Sequence, residues 1–352
     1  IHPMSKDIYK SDYDFNLPHE LIAQHPLKGR TDSLLMHVDG NDFNIKKFTS
    51  ISTEVSKNDC LIVNETKVIK SRLLLTKQTG GDVEIFILQI KSKYIGQCLT
   101  RGLNKNKKNQ KLYAQQFPIE IQILRDLGTE VLLKFNQPLQ KLLESIGHVP
   151  LPPYLKRHDN HNDKTRYQTI FANNDKENSV AAPTASLHFD EKLFSKICSL
   201  SNVFKIDLSI GLGTFKPLPD GPIQSNAELH DELFYISEDV ARELSKAKKS
   251  GKRMIAIGTT VLRALESAWD NNNSALSHGP QSTKLFIKDG YKFQFVDSLI
   301  TNFHLPQSSL LMLVSAFGGK GNIREAYNFA IKNKMRFFSY GDAMYIKKCL
   351  SK

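Results

Sequence analysis

The chain has 352 residues, of which 40% are hydrophobic and 24% charged, with 19 Gly and 14 Pro. That composition excludes a disordered, collagenous or coiled-coil protein, and at ~150 residues per domain the length gives about two domains. Lys and Arg number 48 against 36 Asp and Glu, and the net charge of +12 favours polyanions without proving one.

The polar opening of the chain leads into residues 59–64 (DCLIVN), a short apolar run that reads as a buried strand. From about 71 to 150 the pattern turns β-rich. Residues 82–90 (DVEIFILQI) alternate, and 119–124 and 130–135 flank an Arg-Asp-Leu-Gly turn as a hairpin would. Short, evenly spaced strands of this kind predict a small barrel or sandwich. Beyond 151 strands alternate with helices: 253–257 runs into Gly258-Thr259-Thr260, after which 261–269 carries apolar residues at helical spacing. The fold expected is α/β: an α/β domain of residues 4–70 and 151–352, with a small β-barrel domain of residues 71–150 inserted. Ile1, His2 and Pro3 precede Met4 and are set aside.

Cys60, Cys98, Cys198 and Cys349 stand far apart, with no CxxC pair. This argues against a disulfide framework, a zinc finger and the zinc deaminase signature, and no metal site is expected. Apolar stretches stay below the ~20 residues of a membrane span, and charged residues interrupt the N-terminus before any signal-type run. The expectation is a cytoplasmic, monomeric protein with no membrane partner.

Charge is unevenly shared. Residues 71–150 hold 12 Lys and Arg against 6 Asp and Glu, half the net charge in under a quarter of the length. Lys105, Lys107, Lys108 and Lys111 crowd one Asn-rich loop, which reads either as a solvated tip or as a phosphate-binding face. A second run, 246–253, falls at a helix end, where cations suit the carbonyl end of the dipole.

Familiar nucleotide signatures are absent: no GxxxxGK[ST] occurs, and Gly211-Leu212-Gly213 lacks the third Gly of a dinucleotide fingerprint; nor does an HExxH or a nucleophile elbow occur. Four apolar-framed segments nevertheless carry polar residues that a plain core would not hold. They are 147–157 (GHVPLPPYLKR), 181–189 (AAPTASLHF), 257–266 (IGTTVLRALE) and 299–306 (LITNFHLP), the last followed by 336–344 (RFFSYGDAM).

Taken with 166–172 (RYQTIFA), 290–317 (GYKFQFVDSLITNFHLPQSSLLMLVSAF), 64–73 (NETKVIKSRL), 79–84 (TGGDVE), 21–26 (LIAQHP) and 13–17 (YDFNL), these segments resemble the S-adenosylmethionine:tRNA ribosyltransferase-isomerase family of queuosine biosynthesis. The match is collinear from about residue 8 to 346. Departures are mild: 211–217 reads GLGTFKP for the usual GAGTF and Arg-Pro, Ile210 replaces Val, Ser186 replaces Gly, and Asp231 replaces Ser.

The resemblance implies an α/β main domain, partly barrel-like, with the small β-barrel inserted, and an enzyme that consumes S-adenosylmethionine as a ribosyl donor; no metal or prosthetic group is expected. The acceptor would be 7-aminomethyl-7-deazaguanine at the wobble position of tRNA, and the products epoxyqueuosine tRNA, adenine and methionine. Such chemistry needs a base for the ribose C–H beside the sulfonium, donors for ring opening and adenine loss, and an acceptor for the amine proton. His304 is the first candidate for the base or a donor, His188 the second, and Asp342 is the candidate amine-proton acceptor. Thr184, Gly213, Thr214, Gly258, Thr259, Thr260, Arg263, Glu266, Asn302 and Tyr340 are expected to bind S-adenosylmethionine. The bland alternatives are N-caps for Thr259 and Thr260 and an i,i+3 ion pair between Arg263 and Glu266. Lys105, Lys107, Lys108, Lys111, Lys156 and Arg157 are the expected tRNA contacts. Two rival readings stay open: an S-adenosylmethionine-dependent tRNA methyltransferase, and a non-catalytic RNA-binding module.

Overall fold

The computed structural model describes residues 7–211, 218–224 and 226–349. It divides into two compact units, one of Ile1–Thr66, Thr169–Lys176 and Pro183–Lys352, the other of Lys67–Gln168 and Glu177–Ala182. The α/β class and the β-barrel are both present.

The first unit is built on a nine-stranded sheet. Its order is Gly279–Thr283, Glu232–Ile236, Asn202–Leu208, Asp59–Asn64, Arg253–Ile257, Ser298–Asn302, Ala343–Lys347, Leu34–Asp39, Asp42–Lys47. The four from Asn202–Leu208 to Ser298–Asn302 run parallel. Parallel strands are covered on both faces, so they read as continuous apolar runs; all six residues of Asp59–Asn64 and all five of Ser298–Asn302 are buried. Leu61, Val63, Ile255, Ile257 and Ile300 form one core with Phe48, Phe189, Leu193 and Ile197. The basic run at 246–253 lies at the end of the helix Glu238–Lys249, where Lys248 also pairs with Asp297 at 2.9 Å.

Strand direction decides what meets at one edge. Ala343–Lys347 is antiparallel to Ser298–Asn302, with Asn302 opposite Ala343, and Leu34–Asp39 runs parallel to Ala343–Lys347. On the other flank Glu232–Ile236 is antiparallel to Asn202–Leu208. The carboxyl ends of the parallel strands, at Asn64, Leu208, Ile257 and Asn302, therefore share an edge with Ser33, Glu232 and Asp342, which stand at the amino ends of the reversed strands.

The second unit is a closed barrel ordered Phe117–Asp126, Glu130–Phe135, Ile95–Arg101, Asp82–Ser92, Arg72–Lys77, Asn109–Ala114. Alternation sends Leu73, Val83, Ile85, Leu112, Ile121 and Leu133 inward, and the helix Leu139–Ile146 adds Leu139, Leu142 and Leu143 to that core. The hairpin read from the sequence is present, turning at Gly128 with φ 88°. The unit is wider than the 71–150 insert drawn from the strand pattern. Lys67–Val68 pairs with Glu177–Ser179, and Arg72 Nη2 on a barrel strand donates to the Leu151 carbonyl at 3.3 Å, so residues on both flanks fold with the barrel.

Candidate functional site

At the carboxyl edge of the sheet three residues from distant segments hold one another. His188 ends a 3-10 turn, Thr184–His188, and is buried, with its ring stacked on Phe48 at 4.9 Å. Its Nδ1 lies 2.8 Å from Ser33 Oγ and its Nε2 lies 3.1 Å from Asn302 Nδ2. The same Asn302 amide donates to the Phe338 carbonyl at 2.9 Å, and a carbonyl only accepts, so the NH2 end is the one facing His188. Nε2 of His188 is then the acceptor, and Nδ1–H donates to Ser33. Asn302 Oδ1 and Ser186 Oγ are buried at this edge without hydrogen-bond partners.

Asp342 lies next in the edge. Leu34 N–H donates to its Oδ1 at 2.8 Å and Arg336 N–H to its Oδ2 at 2.7 Å, so the carboxyl ties two chain segments together. Burial raises its pKa, against the pull of those N–H donors and the Arg336 guanidinium. A carboxyl so placed takes a proton more readily than an ordinary surface aspartate.

His304 follows the strand Ser298–Asn302. Its backbone N–H donates to the Tyr327 hydroxyl at 2.9 Å, and its ring Nε2 lies 2.9 Å from Thr301 Oγ1. Desolvation pushes the imidazole down to about 3, so the ring is neutral at physiological pH. A neutral imidazole donates or accepts one hydrogen bond without bringing a charge.

Gly258 ends the strand Arg253–Ile257 and opens the helix Thr259–Ala268 at φ 101°, a conformation that requires glycine there. No side chain caps this helix; the hydroxyls of Thr259 and Thr260, both buried, make no cap bond. Thr184 stands half-buried at the start of its turn, and Tyr340 is buried. Arg263 and Glu266 do not pair with each other. Arg263 Nη1 reaches Glu232 Oε2 at 2.8 Å and its Nε donates to the Leu285 carbonyl at 3.0 Å. Its Nη2 is buried without a partner, and burial lowers its pKa against the opposing charge of Glu232. Glu266 instead accepts the N–H groups of Gln294, Phe295 and Val296 at 2.9–3.0 Å, which fixes the approach to the strand Ser298–Asn302.

Sequence reasoning passed over two members of this edge. Ser33 gives no local signal, since its partner His188 is remote in the chain. Asp207 gives a signal that was legible, a charge inside the apolar strand Asn202–Leu208. Burial raises its pKa, with Glu65 adding to the shift and Lys176 opposing it, and its Oδ1 has no partner. Gly213 and Thr214 lie outside the described residues.

The basic residues fall in the second unit. Lys105 is held by Asp126 at 3.2 Å, and Arg157 is spent on Asp163, whereas Lys107, Lys108, Lys111 and Lys156 are exposed.

The profile of the family described as "Queuosine biosynthesis protein" matches residues 10–346. The S-adenosylmethionine:tRNA ribosyltransferase-isomerase of Vesicomyosocius okutanii is 43% identical over 339 residues, covering 96% of this chain and 98% of its own. That of Acinetobacter baylyi is 39% identical over 343 residues, covering 97% and 99%. A crystal structure of S-adenosylmethionine tRNA ribosyltransferase from Thermotoga maritima is similar at a TM-score of 0.52 and 30% identity, over 96% of this chain and 100% of that one. With a match running through every polar segment at the sheet edge, the chain belongs to the queuosine biosynthesis protein family.

Proposed function

We propose that this chain is an S-adenosylmethionine:tRNA ribosyltransferase-isomerase. It moves the ribosyl part of S-adenosylmethionine onto 7-aminomethyl-7-deazaguanine at the tRNA wobble position and isomerises it, releasing adenine and methionine. The observation that carries this reading is the family match over residues 10–346, which spans both units.

The residues divide the work by protonation state. His304, neutral, is the proposed uncharged donor where ring opening builds charge on oxygen; pushed down to about 3, its imidazole is too weak a base for the ribose C–H that the sequence reading offered it. Asp342, its pKa raised by burial, takes the proton of the attacking amine. His188 has both ring nitrogens engaged, so its role is to position Asn302, whose free Oδ1 accepts from the substrate. Thr184, Gly258, Thr259 and Thr260 line the S-adenosylmethionine site, with Tyr340 beside them, and Arg263 offers its remaining Nη2 to the methionine carboxylate. Glu266 shapes that site through the backbone it holds. S-adenosylmethionine is a consumed co-substrate; the reading assigns no metal or prosthetic group to the reaction.

The test is mass spectrometry of the wobble nucleoside after incubation with S-adenosylmethionine and precursor-bearing tRNA. The expected result is epoxyqueuosine, with adenine and methionine released one-for-one. S-adenosylhomocysteine as the main product would make the chain a methyltransferase, and tRNA binding without cofactor turnover would make it a binding module.

A further inference from the structure

On the barrel's outer face the strands Asn109–Ala114, Phe117–Asp126 and Glu130–Phe135 lie side by side, and their outward residues form an open groove of about 470 Å³. Lys107, Lys111 and Lys134 line it, with Asn109, Gln122 and Glu120 between them. The register is fixed: Asn109 stands opposite Gln122, Gln122 opposite Lys134, and Lys111 opposite Glu120. Three strands at ~4.8 Å spacing make the groove about 10 Å across. Among the described residues, none of these six side chains has a hydrogen bond or ion pair.

The lysine loop beside it is not a loose tip. Gln110, buried, donates to the carbonyls of Asn104 and Lys107 at 2.9 Å each, and Ile123 N–H donates to the Lys108 carbonyl at 2.8 Å. Those bonds hold the loop backbone at Lys107 and Lys108 against the strands that carry Lys111 and Gln122. The result is three unpaired ammonium groups, carried on a held backbone, against one carboxylate, with two free amides able to donate. Such a surface has no enclosed cage for a small anion, which would keep its water. A polyanion gains there by releasing its condensed counterions.

We propose that this groove is a docking site for the phosphodiester backbone of tRNA, with Lys107, Lys111 and Lys134 as its phosphate contacts. The proposal rests on tRNA being the substrate, and it narrows the charge of the barrel to one face. Because phosphate contacts carry no sequence information, the site positions any tRNA alike and leaves selection to the wobble base.

The test uses the full chain and an unmodified tRNA transcript, with affinity measured across a salt series. The triple variant Lys107→Ala, Lys111→Ala, Lys134→Ala should flatten log Kd against log salt by roughly 2–3, at about 0.7–0.9 per lost contact. At 0.1 M salt its Kd should rise by roughly 10–100-fold. The triple Lys→Arg variant should keep the wild-type slope, and S-adenosylmethionine affinity should be unchanged in both. A triple Ala variant with the wild-type slope, and melting as wild type does, overturns the groove while leaving the reaction standing. If the slope falls as expected but wild-type protein makes no modified nucleoside, the groove stands and the proposed reaction fails.

Discussion

The carboxyl edge of the sheet and the outer face of the barrel both collect polar side chains, and they treat them in opposite ways. At the sheet edge Ser33 and Asn302 are buried and each is bonded to His188, with Asn302 Oδ1 left unpartnered, and Asp342 is held by two backbone N–H groups. On the barrel Lys107, Lys111 and Lys134 are exposed and matched to nothing. Water explains the difference. A buried polar group left unpaired costs about 1–3 kcal/mol, so folding itself selects partners at the edge and fixes their protonation. An exposed ammonium is solvated whether or not it has a partner, so the fold leaves it available for one that arrives from outside. Chemistry that needs defined geometry suits the first region; binding that depends on charge suits the second.

The sharpest way to break this contrast is at His304, half-buried beyond the end of the strand Ser298–Asn302 and proposed to serve the reaction and not only the fold. His304→Ala should lower turnover by roughly 10²–10⁴-fold, with tRNA affinity nearly unchanged. Stability offers a second readout with a definite sign. The folded imidazole titrates at about 3, while an unfolded one titrates at about 6.5. Between those values the unfolded chain binds a proton that the folded chain does not, so this contribution is complete above pH 6.5 and is lost as pH falls toward 3. The variant should therefore lose less stability than wild type between pH 7.5 and pH 5, by about 2 kcal/mol in urea titrations. Turnover within a few-fold of wild type would remove His304 from the chemistry, and the proton-transfer role would pass to Asp342.

A smaller effect is expected from Asp342→Asn, which keeps shape and removes one acceptor. Each oxygen of Asp342 faces a backbone N–H, from Leu34 and from Arg336. An amide must turn its NH2 toward one of them, leaving a buried donor unpaired at a cost of about 1–3 kcal/mol. Denaturant midpoints should fall accordingly. If stability is unchanged while activity is lost, the carboxyl serves the reaction alone and the sheet edge is less tightly matched than its geometry implies.

What could be read in advance follows the same division. The strand Asp59–Asn64, the hairpin at Gly128 and the strand–turn–helix at Gly258 are local, and hydrophobic period and turn residues report them directly. Partnerships across the sheet edge are not local. Helical spacing pointed Arg263 toward Glu266, yet Arg263 pairs with Glu232 at the amino end of a reversed strand, and Glu266 is consumed by three backbone N–H groups. No pattern in the helix distinguishes those outcomes, because strand order decides them. The lysines show the converse. Their number was plain from composition, but Lys134 entered the groove only through register, and Lys105 left it through an ion pair.

That last pair gives the finest test of the contrast, since two lysines of one loop should behave differently. The Lys105 ammonium is bound by the Asp126 carboxylate and lies against the Gly128 carbonyl, so the protein already supplies its counter-charge. Lys107 has no such partner and lines the groove. In the tRNA salt series, Lys107→Ala should lower the slope by about 0.7–0.9, the contribution of one phosphate contact. Lys105→Ala should leave it nearly unchanged, apart from a weak field effect within a Debye length of ~10 Å. Asp126→Ala should then release Lys105 and steepen the slope, because an ammonium freed of its internal partner becomes available to phosphate. Equal losses for Lys105→Ala and Lys107→Ala would show that tRNA responds to the net charge of the barrel and not to which ammonium groups the fold leaves unpaired.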